Sequence, residues 1–97
     1  MTALTALLQN HIVRLFPPEE REEVAHLLRE DCGTALPGTD SASLEFFERV
    51  QCAALKLSEG RVDKLVDAIA LGQTDWRDLL VSAGFAEDPQ AHKDWKE

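Results

Sequence analysis

Glu23-Val24-Ala25-His26 has the Glu-x-x-His spacing with which helical bundles hold paired metal ions, because side chains three residues apart on a helix reach one centre. A complete site of that kind takes a second such motif and two further carboxylates. The chain has no second Glu-x-x-His, and the nearest substitute, Asp88 with His92, is spaced at four. Glu23 and His26 therefore read as a solvated helical pair. His11 lies on an apolar stripe with no acidic or nucleophilic partner assignable from spacing, and reads as a packed boundary histidine. His26 and Cys32 fall about 120° apart around an ideal helix, which argues against a Cys–His nucleophile pair. There is no Gly-x-Ser-x-Gly elbow, no phosphate-binding glycine loop and no zinc spacing. No catalytic, metal or cofactor-binding residue is predicted and no cofactor is expected. The competing reading is a small metal- or ligand-binding enzyme with its site inside a helical bundle.

Charge says more than motifs do. Ten Lys and Arg stand against 18 Asp and Glu, a net charge of −8. Such a surface repels phosphate backbones and anionic headgroups, so nucleic acid and membranes are not expected partners and a basic protein is. The acidic cluster Glu19, Glu20, Glu22 and Glu23 suits the positive end of a helix and is also the candidate docking patch for that partner. Glu59, Asp63 and Asp67, spaced by four with Arg61 and Lys64 between them, read as a solvated face. Residues 67–79 superficially resemble a helix-turn-helix with Gly72 at the turn, but Asp75 and Asp78 on the would-be recognition helix oppose DNA. Among the aromatic residues, Trp76 and Phe85 are expected in the core, and Trp95 is the candidate for an exposed contact.

The elements that must position these residues are all helical. Ninety-seven residues bury roughly 60 to 65% of their unfolded surface and support one core, so residues 1–97 are expected to form a single helical domain. Leu4, Leu7, Leu8, His11, Ile12 and Leu15 give a first helix from about Thr2 to Phe16, which Pro17-Pro18 ends. Pro18 opens a second helix with Val24, Leu27 and Leu28 inside, running to Gly33. Residues 33–40 form a loop around Leu36-Pro37-Gly38. A third helix capped by Asp40 or Ser41 is apolar over more than half its circumference and so is expected at the centre. Ser58 caps a fourth that Gly72 closes. Thr74 caps a fifth, which buries Trp76, Leu79, Leu80 and Ala83 and stops at Gly84-Phe85. Asp88-Pro89 starts a last one that docks Ala91 and Trp95. The fold class is thus a compact all-α bundle of five to six short helices, its core centred on Leu8, Ile12, Leu28, Phe47, Val50, Leu65, Ile69, Trp76 and Leu80.

Ala54-Leu55-Lys56-Leu57-Ser58, then Thr74-Asp75-Trp76-Arg77-Asp78-Leu79-Leu80 and Ala83-Gly84-Phe85, resemble the pattern of a family of small, uncharacterised bacterial all-helical proteins over residues 44–95. The resemblance implies helices and carries over no activity and no site residue. The six-helix architecture is also similar to that of death-domain-like interaction modules, which implies no function. Cys32 and Cys52, two thiols without a basic leader ahead of them, fit a reduced, cytoplasmic setting better than a disulfide. The function expected is a non-enzymatic protein-protein interaction module, of adaptor, antitoxin or immunity-protein type, as a monomer or homodimer.

Overall fold

The computed structural model describes residues 4–33, 36 and 43–96, and among them every regular element is a helix. The order is α1 (Ala6–Leu15), α2 (Pro18–Asp31), α3 (Leu44–Ser58), α4 (Val62–Ala83) and α5 (Ala91–Asp94). The radius of gyration is 11.8 Å. A compact chain of this length should give about 12.5 Å, so the helices close on one another. The expected loop centre at Pro37-Gly38 and the caps Asp40 and Ser41 lie outside the described residues, as does a helix start at Thr2.

Several helix boundaries have a local cause. Thr5 caps α1, its hydroxyl accepting Leu8 N–H at 3.4 Å, and Pro18 opens α2 with Glu19 and Glu20 in the first turn. Ser43 caps α3 through Phe46 N–H at 3.1 Å. Six successive residues of α3, Val50 to Leu55, are buried, so this stretch is enclosed on every side and lies at the centre, as its apolar girth predicts. Ser58 corrects the expected boundary. It is the last residue of α3, buried, donating to Leu55 O at 2.6 Å and accepting Gly60 N–H at 3.2 Å. Glu59 and Gly60 then turn left-handed (φ 53° and 81°), and α4 starts at Val62 without a side-chain cap.

The fourth and fifth helices expected from sequence are two limbs of α4. Gly72 does not close the first limb; it is buried inside it, where a Cβ would lie 2.9 Å from a methyl of Leu79. The break comes three residues later at Asp75, whose backbone is extended (φ −158°, ψ 101°). Asp75, not Thr74, caps the second limb by accepting Arg77 N–H at 3.0 Å, while Thr74 donates back to Ala70 O. The stop at Gly84-Phe85 is as expected. Gly84 is left-handed, its N–H reaches Val81 O, Phe85 N–H reaches Leu80 O at 2.9 Å, and the Phe85 ring is buried.

Leu8, Ile12, Leu28, Val50, Leu65, Ile69 and Leu80 are buried as expected. Phe47 and Trp76 are corrections, since both are only half-buried. The two share an aromatic margin rather than the centre. Phe46 meets Trp76 edge-on at 4.8 Å and Phe47 at 5.7 Å, and the Arg77 guanidinium covers the indole at 5.2 Å.

Two left-handed glycines separate backbone conformation from crowding. At Gly84 a Cβ would have 3.8 Å of clearance, whereas at Gly60 it would press to 2.8 Å from Leu15 O. Gly84→Ala should therefore cost only the left-handed penalty of about 1–2 kcal/mol. Gly60→Ala adds a backbone collision and should cost about 3 kcal/mol or more. Urea unfolding of the two variants beside the parent checks the order.

Candidate functional sites

The acidic patch is where the α2 pattern puts it. Val24 and Leu28 face the core, which leaves Glu19, Glu22, Glu23, His26 and Glu30 on the outward face and Glu20 half-buried at its flank. Arg21, in the middle of the cluster, turns away from it. Its Nε donates to Phe16 O at 3.0 Å and its Nη2 to Val13 O at 3.1 Å, closing the end of α1. This bond ties the main chain at Val13 to the first turn of α2, and the Val13 side chain is 53% exposed.

The second acidic row behaves differently. Arg61 grips Asp63 with two bonds, at 3.1 and 2.8 Å, and Lys64 pairs with Glu59 at 3.0 Å. Glu59 itself sits in the turn rather than on α4. The Arg61 hydrogen bonds hold the Asp63 carboxyl below its ordinary value, and two of the three carboxylates in this solvated row are paired with neighbouring cations.

A third group of residues escapes sequence reading. His92 of α5 is fully buried and its Nε2 lies 3.0 Å from Glu48 Oε1 on α3. Burial would raise the Glu48 carboxyl. Hydrogen bonds from Thr5 and His92 outweigh that, with smaller help from the field of a protonated His92 and from Lys93, and the carboxyl lies below its ordinary value. Trp95, expected as an exposed contact, is half-buried and lies flat on His11 of α1, with centroids 4.1 Å apart and planes 22° apart. Phe85 approaches both His92 and Trp95, at 6.4 and 6.3 Å. One carboxylate and two imidazoles therefore tie the N-cap of α1, the centre of α3 and α5 together. The one sequence signal for His92 is its spacing: it precedes Trp95 by three, so both occupy one helical face.

The nucleophile and metal readings find little geometry. Cys32 and Cys52 are buried and form no disulfide, and burial, aided by the Asp31 charge, pushes the Cys32 thiol up to about 12. His26 is exposed, away from Cys32. Among the described residues no group of three His, Cys, Asp or Glu gathers as a metal site would require, and no helix is long and apolar enough to cross a membrane. Gly72, needed at a turn by the helix-turn-helix reading, is inside a helix. Comparison with protein-family models, curated proteins and solved structures finds no match.

The sign of the Glu48 effect follows from linkage. A carboxyl whose folded value lies below its unfolded value, near 4.5, contributes stability that is present above that value and lost as pH falls through the lower folded one. Glu48→Gln should flatten the acid limb of the stability curve. His92→Ala should cost about 2–4 kcal/mol at neutral pH, through the cavity and the bond lost to Glu48. Urea midpoints from pH 7 down to pH 3 measure both.

Proposed function

We propose that this protein is a non-enzymatic protein-binding module whose α2 face steers a basic protein partner, with Val13 as the adjoining apolar contact. The observation that carries the reading is the commitment of Arg21. Glu19, Glu22 and Glu23 are exposed, the cation in their midst, Arg21, donates to the backbone carbonyls of Phe16 and Val13, and the Val13 side chain is itself exposed. Long-range attraction then sets the rate of encounter, and desolvation of the valine adds to its lifetime. The −8 charge favours a cationic protein over nucleic acid or an anionic membrane. A blocker of a basic enzyme, in the manner of an antitoxin or immunity protein, is the specific form that such a surface suits, and a cytoplasmic setting fits its two cysteines, which form no disulfide.

Trp95 is set aside as an anchor of this interface, because its ring is already stacked on His11. The contact residues are Glu19, Glu20, Glu22, Glu23 and Val13. The test is capture of partners on the purified protein, followed by binding measurements with each. Affinity for a genuine partner should fall about tenfold or more between about 50 and about 300 mM salt. It should fall in the same way when Glu19, Glu22 and Glu23 are changed together to Gln, while Val13→Ala should weaken binding at every salt concentration. A set of partners that the triple variant binds as well as the parent does would overturn the reading.

A further inference from the structure

Leu44 and Phe47 are three residues apart at the start of α3 and so share a face. That face is not spent on the core. Leu44 is 60% exposed, and Phe47 is half-buried without packing against the buried cluster, whereas Phe46 and Trp76 do pack against it from the margin. The rings form one continuous surface, with Phe47 at 74° to Phe46 and Phe46 at 89° to Trp76. Aromatic side chains are the ones enriched at the centres of protein interfaces.

The charges on this surface select a partner. The Arg77 guanidinium lies 5.2 Å from the centre of the Trp76 ring, drawn there as any cation is to an aromatic face. Asp75 is committed to Arg77 N–H. Glu45, between Leu44 and Phe46, and Asp78, two residues after Trp76, are exposed and make no hydrogen bond or ion pair among the described residues. Two unpaired carboxylates against one guanidinium already engaged by a ring leave the patch electronegative and apolar at once. A second copy would bring the same carboxylates and another net charge of −8 against it, and phosphate or anionic headgroups are repelled likewise. A lysine or arginine beside an apolar side chain answers both halves, because its stem packs on hydrocarbon while its head meets ring faces and carboxylates.

We infer that Leu44, Phe46, Phe47 and Trp76 form a docking surface for a cationic segment of a partner protein, in which Leu44 and Phe47 supply the apolar contact and the ring faces, with Glu45 and Asp78, receive its Lys or Arg side chains. These residues belong to α3 and α4, so the surface stands whether or not the α2 carboxylates bind anything.

A synthetic helix of about 14 residues, with leucine at i, i+3, i+4 and i+7 and lysine elsewhere, is the probe. Trp95→Phe leaves Trp76 as the one tryptophan, and in that variant the probe should move the Trp76 emission to the blue. A lysine and serine peptide of equal charge should bind about tenfold more weakly or worse, and a glutamate and leucine peptide should not bind. Leu44→Ser should lower affinity for the probe about tenfold, while changing Glu19, Glu22 and Glu23 together to Gln should leave the Trp76 shift in place. Equal affinity for the leucine and serine peptides would overturn the surface, as would parent-like affinity in Leu44→Ser or a shift lost in the α2 variant alone. Amide spectra of the parent place the probe even if a variant fails to fold. Perturbations should gather at residues 44–47 and 75–78, and perturbations confined to residues 18–30 would overturn the inference while leaving the α2 reading intact. The protein alone should sediment as a monomer, and a dimer that Leu44→Ser dissolves would make a second copy the occupant and overturn the inference too.

Discussion

A helix enclosed along its middle can carry polar side chains there only where they find partners, and beyond the exposed Glu45 of its first turn α3 carries five. Gln51 donates to Leu28 O at the end of α2, and Arg49 and Lys56 donate to Phe85 O, Ala86 O and Ala83 O at the end of α4. Glu48 takes His92 from α5, and Ser58 closes α3 on itself. Arg49 and Lys56 are seven residues apart and so share a face, which sets two cations against the negative end of a helix dipole. Carbonyls left over toward the ends of α2 and α4 are thus answered from the centre of the bundle. Burial of α3 and the closing of its neighbours' ends are one requirement seen from two sides.

The same logic recurs at the margin. Arg21 answers Val13 O and Phe16 O at the end of α1, and Gln73 answers Asp31 O at the end of α2. None of these bonds has a local sequence signature, because donor and acceptor come from different elements. What sequence does carry is one-dimensional. The stripes of α1 and α2, the girth of α3 and the Gly84-Phe85 stop are all legible from neighbouring residues. Boundaries set by a third element are not. Gly72 looks like a helix stop, yet its missing side chain makes room for Leu79. Ser58 looks like a cap, yet it ends α3, and the left-handed Glu59 and Gly60 that follow, Gly60 close against Leu15 O, put the start of α4 three residues later than such a cap would.

The functional surfaces divide in the same way. The acidic edge of α2 is written in consecutive residues and needs only the helix to display it. The Glu48–His92 pair is invisible to such a reading, since a lone glutamate and a lone histidine separated by 44 positions each look like ordinary solvated residues. Only the three-residue step from His92 to Trp95 hints that the imidazole shares a docking face. Trp95 is recognisable as special for its size, but its role reverses once His11 is beneath it.

The inward turn of Arg21, Arg49 and Lys56 also bears on how these molecules meet one another. Each cation donates to carbonyl oxygens, so it keeps its charge but has fewer N–H groups left to pair with the carboxylates of an approaching molecule. Two copies approaching within the screening distance of about 8 Å in physiological salt meet mutual repulsion over much of their surfaces. A net charge of −8 works against that approach even though valines such as Val13 and Val81 stand uncovered.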